Sequence, residues 1–308
     1  MGSGGDPAPD ARSQRIPGLA STLGFIVRHP GNRQRRARAL LKFAAWQLWK
    51  RTTHRPITAT YWRGLKVRVH PDSKSASLAL YTGLPEYDDM LFTARLLKEG
   101  DLVIDVGANI GLYSLLAASR VGAGTVIALE PHPVAAVRLR KNVALNGLGN
   151  VEVLAEAAGA EPGTAQLTSD LDTVNHIVSD GTMAGTISVP VRTLDSLVGP
   201  EERVALVKID AEGFESEVLA GAARLLQDRA VVAWIVEVRG HGGRYGSEDN
   251  SVLASFERAG YRPFRYTADQ NVLEPAPYLP AGQAEWNLIF LTDPDEVRGR
   301  LVLETNPR

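Results

Sequence analysis

The heptapeptide Asp105–Gly111, DVGANIG, stands between an apolar run, Leu102–Val106, and a segment with helical spacing, Leu112–Val121. A strand that enters a glycine-bearing turn and leaves as a helix opens a βα unit, which commits the chain to a parallel sheet. The alternation continues downstream. Thr125–Leu129 and Val151–Leu154 read as strands around a helix at Val134–Leu145. Strands follow at Val204–Ile209, Val231–Val238, Tyr261–Tyr266 and Trp286–Leu291, with helices at Phe214–Leu226 and Ser251–Ala259. The expected architecture is an α/β, Rossmann-like sheet of seven mostly parallel strands with helices on both faces. After the third strand, Gly159–Val191 turns rich in Gly, Thr, Ser and Asp and is read as an antiparallel insertion, with β-like pieces at Ala165–Thr168 and Ile187–Val191.

Upstream of the sheet the chain changes character. Between Ala11 and Pro71 there are fourteen Lys/Arg and no Asp/Glu, whereas from Asp72 onward 20 basic residues face 33 acidic ones, so a formal net charge of -1 hides a basic arm beside an acidic body. Residues 1–22 read as a disordered lead-in and 23–98 as a basic helical and hairpin extension. The extension holds a helix carrying Leu41, Ala44, Ala45, Leu48 and Trp49, a hairpin over Thr58–Val69 turning at Arg63-Gly64, and a helix over Asp88–Lys98. Residues 99–293 form the main domain and 294–308 a tail. The basic helix is read as packed on the body with its charges solvated; the second reading is a helix lying on an anionic membrane surface. Cysteine is absent, which excludes disulfides and thiolate metal sites. No run is long enough to span a bilayer and the N-terminus lacks an apolar signal core, so the expectation is a cytoplasmic protein with peripheral contact to the inner face of the membrane as an option.

The turn after the first sheet strand has the chemistry of a nucleoside site. Gly107 allows a tight turn, and Gly111 allows close approach of a ligand and the helix N-terminus. Asp105 would repel a pyrophosphate but could hold an ammonium. The G-x-N-x-G spacing through Asn109 differs from the dinucleotide pattern. Glu130 closes the next strand, nineteen residues beyond Gly111, where a carboxylate can accept both ribose hydroxyls. Glu156 and Ala157, past the third strand, fall where an adenine edge would lie. The bland alternatives are a plain strand–helix turn for the glycines and capped or solvated strand ends for the acids.

DVGANIGLYSLLAA, ALEPHP (Ala128–Pro133), NVALNGLGNVEV, TLDSLV (Thr193–Val198) and VKIDAEGFESEVLAGA (Val207–Ala222), with LYTGLPEYDDM before them and WNLIF after, resemble the FkbM family of methyltransferases. The likeness runs from about Leu80 to Phe290, with Ala211 where Val is more usual. It implies a class I methyltransferase using S-adenosyl-L-methionine, typically to O-methylate sugars, polysaccharide units or polyketide-type metabolites. By the matching motifs, Asp105, Gly107, Asn109 and Gly111 would line the methionine end of the cofactor and Glu130 its ribose. Asp210 would face the methyl group.

Ligands of open α/β sheets sit at the carboxyl ends of the strands, so Asp210, Glu212, Glu215, Glu237, Arg239 and His241 should converge near Asp105 and Glu130. A hydroxyl acceptor needs a group to take its proton. Asp210 is the leading candidate and His241 the second. Glu212 and Glu215 could equally complement the dipole of the following helix. Lys208 is expected to share a side with Asp210 only if the strand bends, and its role could be purely structural. No metal is expected, although Asp210, Glu212 and Glu237 could hold a divalent cation. Glu86 and Tyr87, before the first strand, and Asn175 and His176, in the insertion, are candidate acceptor contacts, with Glu212 and Glu237 beside them. The partner is expected to be a small molecule or glycan and not nucleic acid, which the acidic body would repel. Oligomeric state is left open. The competing readings are a nicotinamide-dependent oxidoreductase, for which no Tyr-x-x-x-Lys constellation is found, and a non-catalytic cofactor-binding scaffold.

Overall fold

The computed structural model describes residues 19–168, 177–178, 185–238, 249–276 and 286–301. The extension comprises α1 (Leu19–Arg28), α2 (Arg36–Thr52), the hairpin β1 (Ile57–Trp62) and β2 (Leu65–Val69), α3 (Lys74–Thr82) and α4 (Tyr87–Leu96). Helix α1 starts inside the segment read as lead-in. Helix α3 was not expected from the sequence; it is announced by Ser73, whose hydroxyl accepts from the Ala76 N–H at the N-cap.

The main body follows as β3 (Leu102–Val106), α5 (Leu112–Val121), β4 (Thr125–Leu129), α6 (Pro133–Leu145) and β5 (Val151–Leu154). A four-stranded insertion of β6 (Ala157–Ala158), β7 (Gly163–Thr168), β8 (Ile177–Val178) and β9 (Thr186–Arg192) comes next, with β7 antiparallel to both β8 and β9. The alternation resumes with β10 (Val204–Ile209), α7 (Glu215–Ala220), α8 (Ala223–Gln227), β11 (Val231–Val238), α9 (Asp249–Arg258), β12 (Arg262–Thr267), β13 (Val272–Pro275), β14 (Trp286–Leu291) and α10 (Pro294–Arg300).

The central sheet runs β13-β12-β14-β11-β10-β3-β4-β5. It therefore has eight strands rather than seven, because Val272–Pro275, within a stretch read as loop, pairs antiparallel to β12. Strands β5, β4, β3, β10 and β11 are mutually parallel and β14 is antiparallel to β11. Strands β3 and β10 are buried along their whole length, as strands covered on both faces must be. The chain leaves β3 toward β4 and β5, then returns to the other side of β3 as β10. Such a reversal opens a crevice outside the strand ends.

The two faces of the sheet carry separate apolar cores. One gathers Ile104, Val207, Trp234 and Phe290 under α7, α8 and α9. The other joins Val103, Leu206 and Ile235 to Phe43, Trp46, Val67, Met90 and Leu116. The extension thus shares a core with the sheet.

Several quoted motifs resolve into packing roles. Asn142 of α6 accepts from the Arg68 N–H and donates to the Ile110 carbonyl, tying the hairpin to the glycine loop. Asn146 does the same for Lys66. Asp195 accepts from the N–H groups of Arg224 and Leu225, which starts α8. That cap helps divide the helix expected over Phe214–Leu226. The break falls at Gly221, where a Cβ would collide with the Gly159 carbonyl oxygen.

Candidate active site

The loop from Asp105 to Gly111 is shaped by its neighbours. Gly107 has φ +74° and a Cβ there would strike the Asp210 carbonyl, so glycine lets the ends of β3 and β10 close together. At Gly111, φ +91°, a Cβ would strike Leu139 of α6, so glycine lets the loop close on that helix. Asn109 also adopts a left-handed conformation, φ +51°. The Glu130 carboxylate at the end of β4 holds that conformation in place. One oxygen accepts from the Asn109 N–H at 2.7 Å and the other from the His132 N–H at 2.8 Å. Glu130 is 7% exposed. Burial pushes its pKa up to about 7 despite those two backbone donors, with Asp105 and Asp210 adding repulsion.

Asp105 is only 2% exposed and accepts from the Ser114 hydroxyl at 2.5 Å. It pairs in register with Lys208 of β10. Burial raises the Asp105 pKa against the pull of Lys208 and Ser114. An ammonium from a ligand would therefore meet a carboxylate already enclosed beneath the loop.

Lys208 corrects the sequence expectation. Residues i and i+2 of a strand share a face without any bend. In a regular β10 its Nζ donates to Asp210 Oδ2 at 2.9 Å, while lying 4.7 Å from the centre of the Tyr113 ring. Burial would lower its pKa, but Asp210, Glu86 and Asp105 outweigh that and hold the ammonium above its ordinary value. The spacing of Lys208 and Asp210, two residues apart on a strand, contains the signal.

Helix α4 brings the extension into the site. Glu86 Oε2 accepts from the Tyr113 hydroxyl at 2.8 Å and from Asn287 Nδ2 at 2.7 Å. The same amide donates to Asp89 Oδ2 at 3.0 Å. Burial and the nearby Glu86 push the Asp89 pKa up to about 7. Tyr113 is raised well above its ordinary value, by burial first and then by Glu86 and Asp89. Ser114, Tyr113, Asp89 and Asn287 were not singled out from the sequence. Asp89 and Asn287 lie inside the quoted stretches LPEYDDM and WNLIF, which was the available clue.

The remaining expected residues make these contacts. Tyr87 donates to Asp269 at 3.4 Å and stacks edge-on against His29, so it points out of this cluster. Glu156 pairs with Arg192 of β9 at 2.6 Å, which holds its carboxyl below the usual range. Ala157 is buried in β6 against β9. Glu215 accepts from the N–H groups of Ala211 and Gly213 and so shapes the turn after β10, with burial raising its pKa. Asp210, Glu212 and Glu237 each bring a carboxylate oxygen within 4.8 Å of the others. Asn175, His176, Arg239 and His241 lie outside the described residues.

Asp105, Asp210 and Glu86 around Lys208, beside a glycine loop gripped by Glu130, can bind a cationic nucleoside and orient a hydroxyl. Comparisons with known proteins fit that chemistry. A family model described as "Methyltransferase FkbM domain" matches residues 105–263. The chain is 30% identical over 169 residues to Methyltransferase sdnD of Sordaria araneosa, covering 44% of this chain and 65% of that protein. It is 31% identical over 150 residues to hexuronic acid methyltransferase AglP of Haloferax volcanii, covering 47% and 58%. The AMB antimetabolite synthetase AmbE of Pseudomonas aeruginosa is 30% identical over 181 residues, 45% of this chain and 8% of that one. The chain thus spans less than two thirds of each of these relatives.

Proposed function

The chain belongs to the FkbM methyltransferase family, and from that premise we propose that it is an S-adenosylmethionine-dependent O-methyltransferase acting on a hydroxyl of a sugar or a polyketide-type metabolite. The observation that carries the reading is the Glu130 clamp on the glycine loop next to the Lys208–Asp210 pair.

The residues present fit the cofactor. Its sulfonium and ammonium suit a crevice in which Asp105, Asp210, Glu86 and Asp89 surround one ammonium. Glu130, with lone pairs beyond the two that meet backbone N–H groups, would take the ribose hydroxyls. Asp105, Gly107, Asn109 and Gly111 would form the floor under the amino acid tail, and Glu156 with Ala157 would border the base. When bound, S-adenosylmethionine supplies an electrophilic methyl group to an in-line nucleophile.

The protein's own part is to hold the acceptor hydroxyl and receive its proton. Lys208 pairs with Asp210 and fixes its rotamer, so that the carboxylate can accept a hydrogen bond from the acceptor and draw its proton as the bond forms. Glu86, Glu212 and Glu237 stand on the acceptor side. The sugar preference is supported by AglP, named for hexuronic acid. The nicotinamide reading finds no support in the family match.

Titration calorimetry with S-adenosylhomocysteine should give micromolar binding that Glu130→Ala weakens about tenfold to a hundredfold, the size of one or two charge-assisted hydrogen bonds. Incubation with S-adenosylmethionine and a panel of glycans and metabolites should add one methyl to an acceptor. Asp210→Asn should lose that turnover at least a hundredfold while keeping cofactor affinity. Folded protein that binds neither cofactor form would remove the proposal, and binding without transfer to any hydroxyl acceptor would leave the scaffold reading.

A further inference from the structure

Helix α2 is 17 residues long and apolar on two opposite faces. Ala39, Phe43 and Trp46 are buried against the body, where Trp46 Nε1 donates to Ser77 Oγ and Phe43 meets Tyr81 edge-on. The sequence reading of a packed helix holds to that extent. A helix packed on one side normally turns charge to water on the other. Here the outward arc, spanning about 100° at 3.6 residues per turn, carries Ala37, Leu41, Ala44, Ala45, Leu48 and Thr52, all exposed and all uncharged. Leu41 is 70% exposed and Leu48 67%. Arg38 and Arg51 flank this arc on its two sides, and Arg35, Arg36 and Arg55 surround its ends, every one exposed. Trp49, beside the stripe, is exposed and anchors its indole N–H on the Arg55 carbonyl.

We propose that this outer face of α2 is a docking surface for an anionic lipid bilayer, with Leu41 and Leu48 entering the headgroup boundary and the arginines meeting lipid phosphates. Three observations select this occupant. The apolar stripe is narrow and rimmed by cations, the pattern of a helix lying in a membrane interface. Arginine stems can lie along the apolar surface while their heads reach phosphate. A second copy of the chain is disfavoured, because two-fold pairing on α2 would oppose two arms that contain fourteen Lys/Arg and no Asp/Glu between Ala11 and Pro71. No helix among the described residues is long and apolar enough to cross a membrane, so the contact is peripheral.

The test is flotation of the full chain with phosphatidylcholine vesicles, with and without one quarter phosphatidylglycerol. The protein should float with the anionic vesicles, stay behind with phosphatidylcholine alone, and be released by half-molar salt, as a screened contact must be. Arg38→Gln with Arg51→Gln should weaken binding by about 25-fold, roughly fivefold for each cation at the surface. Leu41→Glu with Leu48→Glu should abolish flotation while leaving the melting temperature unchanged, since both side chains already face water. Equal flotation by the Leu double variant, or no flotation of wild type with anionic vesicles, overturns the proposal. So does a concentration-dependent dimer in light scattering that the Leu double variant dissolves, which would give this face to a second copy.

Discussion

Asp105 and Glu130 end adjacent strands, both are nearly sealed from water, and burial raises both pKa values. They are held by different means. Glu130 rests on two backbone N–H groups that come with the turn itself. Asp105 rests mainly on side chains, the Lys208 ammonium one strand away and the Ser114 hydroxyl, with the Ser114 N–H a lesser donor. Backbone donors survive substitution, whereas a side-chain partner can be deleted. One half of the crevice is therefore built into the loop, and the other half, which also includes Asp210 and Glu86, depends on a single lysine.

The sharpest way to break that comparison is Lys208→Met, which keeps length and apolar stem but removes the charge. Taking one partner from a buried ion pair costs about 3–5 kcal/mol, because the remaining charges stay buried. A chain of this size should then melt roughly 10 °C lower. Methyl transfer should fall by more than a hundredfold, since Asp210 loses both its rotamer and its counter-charge. A variant melting within a degree of wild type would show that the carboxylates do not depend on the lysine.

The Glu130 half should respond to pH rather than to loss of a partner. Its folded pKa of about 7 lies above the unfolded value of 4.5, so the folded state binds the proton more tightly. The stability this contributes is full below the unfolded value and is lost as pH rises through 7. Glu130→Gln cannot titrate. Wild-type stability minus that of the variant, from urea melts at each pH, should fall by roughly 3 kcal/mol between pH 4.5 and 8, most of it below 7. A difference independent of pH would mean that Glu130 is ionised in the fold at little cost.

The two halves were not equally legible in the sequence. Leu102–Val106, Thr125–Leu129, Val204–Ile209 and Val231–Val238 are legible to the residue, because mainly apolar runs of this length leave little freedom for a buried parallel strand. The Glu130 half is local: loop and acid are one strand apart, and spacing alone joins them. The Lys208 half is assembled across the chain. Glu86 and Asn287 meet at a sequence separation of 201, and nothing in either segment announces the other. The Lys208–Asp210 pair was within reach, since period two along β10 put both on one face. Helix α3 and strand β13 escaped because short elements without strong periodicity are decided by what they pack on. The division of the helix at Gly221 likewise depends on a carbonyl from the insertion.

Asp89 gives the smallest expected effect and the one of opposite sign. Its carboxylate is half-buried, shares Asn287 with Glu86, and is pushed up to about 7 by burial and by Glu86. Above pH 7 the fold must hold this charge beside another of the same sign. Asp89→Asn keeps an acceptor for Asn287 and removes the repulsion; because Glu86 is exposed and water screens the pair, the gain should be only about 1 kcal/mol at pH 8. That corresponds to a melting temperature higher by roughly 1–2 °C. The gain should shrink as pH falls and reach zero only below the unfolded value of 3.8, where both states carry the proton. Greater stability with slower methyl transfer would place Asp89 among acids kept for the reaction at the expense of the fold. Lower stability at pH 8 would instead show that Lys208 attracts Asp89 more strongly than Glu86 repels it, and the dependence on one lysine would then extend to a fourth carboxylate.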